Sequence, residues 1–236
     1  MARTSKPLEF ASKRSEILDA VQRIVFTKGY EQMSIQDVLD EIKISSGAFH
    51  HYFNSRRDLL DAFIDKILAE SEKPLLPILH DPHLTAIQKL QGFFDTLDQL
   101  SQSRRAEVAI LMRVWYTDKN ALIRKRVDDA VFFQRKPMMT EIIRQGIREG
   151  SITASHPEKA AEAILALLQG MGNAHARLLL SVEAERGDPG LVDEIIAIQA
   201  AFTEAIERVL GAPVNVLRRT DATAVAIWMN ALQGKK

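Results

Sequence analysis

The chain has 236 residues, 46% of them hydrophobic, which is enough to bury a full core and excludes a disordered protein. Lysine plus arginine and aspartate plus glutamate number 31 each, so any basic surface for nucleic acid must be local. The absence of cysteine excludes disulfides, thiolate nucleophiles and cysteine metal sites.

The opening residues, MARTSKPLEFASKR, contain no continuous apolar stretch of the signal-peptide kind. No later segment approaches the roughly 20 apolar residues of a membrane span, so we expect a cytoplasmic protein. Arg3, Lys6, Lys13 and Arg14 make this end basic, opposed only by Glu9. Contact with DNA and simple solvation both fit such a tail.

Residues 34–53, SIQDVLDEIKISSGAFHHYF, predict two short helices separated by a tight turn. Ser34 can cap the first helix, and Asp37, three positions later, can complete a capping box. One apolar stripe then marks the buried face of this helix: Ile35, Val38, Leu39 and Ile42.

The second helix opens at Ser45 and should bury Phe49 and Phe53, with Tyr52 beside them, because so short a helix is stable only when docked. Nothing acidic lies between Ile42 and Arg57, and a polyanion would meet no repulsion there. The other face of the helix carries small and hydrogen-bonding side chains that suit phosphates and base edges: Ser46, Gly47, His50, His51 and Asn54. This pattern is typical of a DNA-reading helix-turn-helix.

The segment from Arg14 to Phe63 resembles the amino-terminal domain of the TetR family of bacterial transcriptional regulators. The shared features are the first-helix pattern, a Gly-Tyr turn, the serine cap and the Ser-Gly-Ala-Phe start of the recognition helix. Two short groups of residues that follow the recognition helix are also shared. They are carried by Ile17, Leu18, Ala20, Phe26, Gly29, Tyr30, Ser34, residues 46–49, residues 53–55 and residues 58–60.

The resemblance implies that Ser34, His50 and Arg56 hold phosphates and that Ser45 caps the recognition helix. It also implies which residues face the major groove: Ser46, Gly47, Ala48 and His51. Three positions depart from the family pattern, with Lys43 replacing glycine at the turn, His50 replacing tyrosine, and Arg56 replacing lysine. Lysine in a left-handed turn would cost roughly 1 to 2 kcal/mol, and a histidine contact would strengthen as the imidazole becomes charged below neutral pH.

The rest of the chain predicts further helices and no strands, so the fold class is all-α. A helix after Ser55 runs to Pro74 and Pro77, and by the resemblance it transmits ligand-induced movement to the DNA-binding head. Pro137 is expected to kink or divide the long pattern over 121–150. We therefore expect a helix-turn-helix DNA-binding domain over 12–72 (motif 34–53) and a larger helical effector-binding and dimerisation domain over 73–236.

Two segments, 160–180 and 191–210, are more apolar than a solvent-facing helix needs. Ala163, Ala166, Gly170 and Ala174, at spacings of three and four residues, would let a partner helix come close and form a four-helix seam in a homodimer. An internal core explains the same pattern equally well. The resemblance favours the dimer.

A pocket for a small apolar effector is expected between Phe93 and His175, because bulky side chains there are mixed with a few polar ones. Residues with this spacing are also typical of a core. The candidate ligand-binding residues are Phe93, Met112, Trp115, Tyr116, Phe133, Gln169 and His175, with Phe94, Phe132, Met138, Met139 and Met171 as further possibilities.

An enzyme would need a catalytic set, and the sequence contains no zinc-protease, di-iron, phosphate-loop or nucleophile-elbow motif. No cofactor or metal is expected. The sequence therefore predicts a regulator, most simply a repressor, that leaves a palindromic operator when the effector binds. The alternative is a helical adaptor whose helix-turn-helix is only structural.

Overall fold

The computed structural model describes residues 5–103, 114–181, 190–219 and 225. Within these ranges the regular structure is helical and contains no strand. The helices are α1 (Ser5–Lys28), α2 (Ile35–Ile42), α3 (Ser46–His50), α4 (Arg56–Glu72), α5 (Leu76–His80), α6 (Ala86–Ser103), α7 (Ala121–Glu149), α8 (Pro157–Ser181) and α9 (Gly190–Leu210), with a 3-10 turn at Asp118–Asn120 before α7. The predicted all-α class is confirmed.

The chain forms two compact units. The first comprises Met1–Ser71 together with Val114–Val127, and the second comprises Glu72–Arg113 and Asp128–Lys236. The inclusion of Val114–Val127 in the first unit was not indicated by the sequence pattern. The functional division into domains at residue 72 stays a prediction.

The first unit is organised around the buried faces of α1, α2 and α4. Apolar residues recur at helical spacing on each, and burying a large aliphatic or aromatic side chain contributes about 1.5–3 kcal/mol. The helix-turn-helix is fixed because its own apolar residues join this core. Fully buried members are Ile17, Ala20, Val21, Val25, Val38, Phe49, Phe53, Leu59 and Phe63.

Helix α7 continues through Pro137, so the segment is not divided there, and the alternative of a kink at this proline stays a prediction. Proline removes one backbone donor and costs about 3 kcal/mol in a helix interior. Three large side chains just beyond it, Met139, Ile142 and Ile143, are at most 3% exposed. Their burial offsets the lost bond, which is why the helix continues.

The second unit has a core built from α6, α7, α8 and α9. Its members include Leu90, Phe93, Ile143, Ile164 and Ile206. Gly170 of α8 provides close packing inside the chain, because an added Cβ would lie 3.2 Å from Cε1 of Phe202 on α9. At this position the small residue permits a close contact within the chain.

Glu207 forms hydrogen bonds that hold the segment 215–219, which follows α9. Its carboxylate is 1% exposed and accepts from the backbone N–H groups of Asn215 and Leu217 at 3.1 and 3.0 Å and from Arg219 at 2.7 Å. A buried carboxylate is tolerated because these donors replace water. The tail over 220–232 lies outside the described residues apart from Val225, which is buried.

None of the helices in the described ranges combines the length and the hydropathy needed to cross a membrane.

Candidate DNA-binding surface

The first helix of the motif is fixed at its start by a capping box. The amide of Asp37 donates to Oγ of Ser34 at 3.1 Å, and the Ser34 amide donates to the Asp37 carboxylate at 2.7 Å. Lys28 pairs with the same carboxylate at 2.7 Å. Hydrogen bonds from Lys28 and Ser34 hold the pKa of Asp37 well below its usual range. The cap predicted from the Ser34–Asp37 spacing is confirmed.

The turn between the two helices depends on Lys43. Its φ and ψ are 55° and 50°, the left-handed region, and its amide donates to the Leu39 carbonyl to close α2. A side chain costs roughly 1–2 kcal/mol in this conformation, whereas glycine carries no such penalty. Lys43 therefore keeps the turn of a glycine and adds an exposed cation beside the recognition helix.

The recognition helix α3 is short and is held by its aromatic side. Ser45 caps it by accepting from the Ala48 amide at 3.2 Å, and Phe49 and Phe53 are completely buried. The helix ends at His50, although the Phe53 amide still donates to the Phe49 carbonyl. The face predicted to meet DNA is exposed: Ser45, Ser46, Gly47, Ala48, His50 and His51.

The residues just after the recognition helix contact the beginning of α1. The Phe10 ring lies 5.6 Å from the His51 ring and 4.8 Å from the Tyr52 ring, measured between centroids. Phe10 is itself 39% exposed. No periodic pattern in the basic segment before residue 12 predicts this contact.

Asn54 has an intramolecular partner. Its backbone N–H and its side-chain Nδ2 donate to the Asp58 carboxylate at 2.9 and 3.3 Å. The backbone N–H of Asp58 donates to Oγ of Ser55 at 3.1 Å. These bonds satisfy backbone groups at the start of α4. A DNA contact by Asn54 would use its side-chain oxygen or the second hydrogen of Nδ2, and that contact stays a prediction.

Arg56 is anchored to the turn after α1. Its Nη2 donates to the Tyr30 carbonyl at 2.7 Å, and its guanidinium lies 4.5 Å above the Tyr30 ring. The buried Nε has no hydrogen-bond partner. A phosphate contact by Arg56, which stays a prediction, would use Nη1 or the second hydrogen of Nη2. The Arg57 side chain is 79% exposed.

The same turn is held by a segment far along the sequence. The Tyr30 amide donates to Oδ1 of Asn120 at 2.7 Å, and the Glu31 amide donates to the Lys119 carbonyl at 3.1 Å. Asn120 is fully buried and its Nδ2 donates to the Val114 carbonyl at 2.9 Å. Both the acceptor and the donor of the Asn120 side-chain amide therefore have partners. No local sequence pattern predicts these contacts.

The residues predicted for an effector pocket lie in different places. Phe93 lines an apolar recess of the second unit, Phe133 is 73% exposed and Gln169 is exposed. Trp115 and Tyr116 belong to the first unit, and Met112 lies outside the described residues.

His175 is half-buried beside the Ile195 backbone, and desolvation lowers its pKa. The predicted pocket stays a prediction. No group of three or more metal-binding side chains occurs in the described part of the chain.

Helix α3 is capped by a serine, buries its aromatic side and exposes its other face. A tight turn links it to a second capped helix. This arrangement is that of a helix-turn-helix DNA-binding protein. Sequence comparison agrees. The family described as "Bacterial regulatory proteins, tetR family" matches residues 17–63.

The HTH-type transcriptional repressor KstR2 of Mycolicibacterium smegmatis is 24% identical over 157 residues, which is 61% of this chain and 70% of the relative. The HTH-type transcriptional regulator TtgR of Pseudomonas putida is 24% identical over 183 residues, covering 72% of this chain and 83% of the relative. A TetR transcription regulator from Haloarcula marismortui has the same fold, with a TM-score of 0.56 and 20% identity over 85% of this chain and 97% of that chain.

Residues 17–63 therefore match the DNA-binding domain of the TetR family, and the chain is a DNA-binding transcriptional regulator rather than an enzyme.

Proposed function

We propose that this regulator is a homodimeric repressor that occupies a palindromic operator and is released by a small apolar effector. KstR2, one of its relatives, is named a repressor. Operator DNA is cytoplasmic, so the protein would act there. The observation that carries the proposal is the exposed face of α3 beside two buried phenylalanines.

The exposure of the recognition helix supports the roles that we propose for its residues. In this proposal Ser46, Gly47, Ala48 and His51 meet base edges in the major groove, because short side chains let the helix backbone approach closely. His50 and Ser34 are placed to meet phosphates, which orient the protein without reading sequence. Lys43 and Arg57 add positive charge at the two ends of this surface.

The dimer proposal rests on α8 and α9. Phe202 and Ile198 of α9 and Gly170 of α8 are only half-buried in the single chain, and Ala166 is exposed. Covering such side chains with a second copy removes apolar area from water. Two recognition helices held roughly 34–36 Å apart would read two half-sites of one operator.

Effector response requires that the effector bind the arrangement that cannot hold DNA more tightly than the one that can, since equal affinity would shift nothing. We assign DNA binding to residues 12–72, and effector binding and dimerisation to 73–236. The adaptor alternative predicts no salt-dependent affinity for DNA.

The test uses the full-length protein and the DNA upstream of its own gene, searched for an inverted repeat. We expect a mobility shift with the repeat that weakens steeply with salt, and a dimer mass by light scattering. Absence of binding to every duplex at low ionic strength would reject the proposal. A duplex with one half-site scrambled is the matched control and should bind more weakly.

A further inference from the structure

Helix α1 begins well before the part of it that joins the core of the first unit. Its first buried residue is Ile17, whereas residues 7–16 are exposed or half-buried. This part of α1 gains little from the core, although ordering each of its residues in a helix costs backbone entropy. Contacts other than core packing must hold it, and they reach the residues that follow the recognition helix.

Three aromatic rings meet where this part of α1 contacts those residues. The centroid of the Phe10 ring lies 4.8 Å from that of Tyr52, with 30° between the ring planes. The His51 ring stands almost perpendicular to both, at 82° to each, with centroid distances of 5.6 Å to Phe10 and 5.4 Å to Tyr52. Edge-to-face contacts at such distances are favourable for aromatic pairs. The imidazole therefore packs against two rings, and one of them comes from α1.

A second contact fixes the position of Phe10. One helical turn later, the Arg14 guanidinium lies 4.9 Å from the centroid of the Phe53 ring, and Phe53 is completely buried. A cation at this distance from an aromatic ring is attracted to it. Because residues four apart share a face of a helix, the contact of Arg14 with Phe53 directs Phe10 toward His51.

The ring contacts are what orients the His51 side chain. The backbone N–H of His51 donates to the Ala48 carbonyl at 3.2 Å, so the backbone at this position is held by the recognition helix. The imidazole forms no hydrogen bond or ion pair with any residue that the structure describes. Its nitrogens therefore stay available to a base edge, while Phe10 and Tyr52 limit the rotamers of the ring.

We infer that Phe10 is a positioning residue for sequence reading, because its ring holds the His51 imidazole in the orientation that meets a base edge. A side chain that is already ordered spares DNA binding the entropy of ordering it. The inference rests on the proposed function, since it requires His51 to read a base pair. It extends the DNA-binding surface to a part of α1 that precedes the matched residues 17–63.

The test measures base preference, the ratio of affinities for the operator and a single-base variant, at the pair where His51→Ala loses it. Phe10→Ala in the full-length protein should lower this preference about two- to tenfold and leave other base pairs unchanged. Phe10→Tyr keeps a ring and should keep the preference. Leu8→Ala, the control, removes another apolar side chain of this part of α1, 71% exposed, and should change nothing.

A double variant shows whether Phe10 acts through His51. When His51 is already alanine, adding Phe10→Ala should leave the preference at this pair unchanged, whereas independent effects would add. A role of Phe10 in stability alone would weaken binding to all duplexes equally and would persist in the double variant.

The outcomes separate this inference from the proposed function. The inference is overturned, and the proposed function stands, if the preference survives in Phe10→Ala, if Phe10→Ala weakens every duplex equally, or if His51→Ala alters no base preference. A native protein that binds no duplex at low ionic strength would instead reject the proposed function, and the inference with it.

Discussion

The backbone amide of Tyr30 donates to Oδ1 of Asn120 at 2.7 Å, although ninety positions separate the two residues. Tyr30 also receives Arg56 on its carbonyl and on its ring. The turn after α1 is therefore held from both the start of α4 and the segment before α7. Its conformation depends on residues outside the helix-turn-helix.

Asn120→Ala should lower the free energy of unfolding by about 1–3 kcal/mol, because the buried Tyr30 amide loses its acceptor and no water replaces it. Urea denaturation measures this difference. Lys119→Ala is the control, since its exposed side chain can be removed while its carbonyl stays bonded to Glu31. Equal losses in the two variants would contradict a special role for Asn120.

Asp37→Asn should destabilise the protein near neutral pH by about 1 kcal/mol, the usual worth of an N-terminal cap. The folded-state pKa of Asp37 lies below its unfolded value, so the carboxylate's contribution is present above about pH 4 and is lost as pH falls further. The gap between native protein and variant should shrink on acidification. Urea titrations at pH 7 and pH 3 measure it, and a constant gap would refute the assignment.

Lys43→Gly should stabilise the protein by about 0.5–1 kcal/mol, because relief of the left-handed strain outweighs the added chain entropy of the unfolded state. Thermal or urea unfolding detects the change. Lys43→Ala removes the same charge but keeps a Cβ, so it should bring no gain. A stabilised alanine variant would mean that charge, and not backbone strain, explains the effect.

Arg56→Ala should weaken binding to all duplexes and reduce the slope of log affinity against log salt by about 0.9, the value for one phosphate contact. Mobility shifts at several salt concentrations provide the slope. Arg23→Ala removes an arginine that pairs with Glu41 and should leave the slope nearly unchanged. If Arg56→Ala changes only stability, the residue's role is the Tyr30 contact.

His51→Ala should alter which operator bases are preferred, by roughly 1–3 kcal/mol at one base pair if the imidazole makes a specific contact. Competition assays with single-base operator variants measure this preference. A uniform loss on every sequence would place His51 among the phosphate contacts. Phe10→Ala removes the ring beside His51 and tests whether that packing sets the orientation of the imidazole.

Much of the DNA-binding surface could be predicted because its signals are local. The Ser34–Asp37 cap, the Ser45 cap and the burial of Phe49 and Phe53 depend on residues at most four apart. The second unit was harder, because bulky side chains at helical spacing have the same pattern in a core and in a pocket. The local penalty of Pro137 does not decide between a divided helix and a continuous one, because the packing of residues beyond it can offset that penalty.

The sequence by itself determined the helical class, the start of both motif helices and the polar face of the second, since helix periodicity and capping act within one or two turns. Only the tertiary structure decided that Asn120 holds Tyr30, that Phe10 packs on His51 and that Phe202 packs on Gly170. Such contacts join residues far apart in the chain, and their energies depend on burial and on partners that no local pattern specifies.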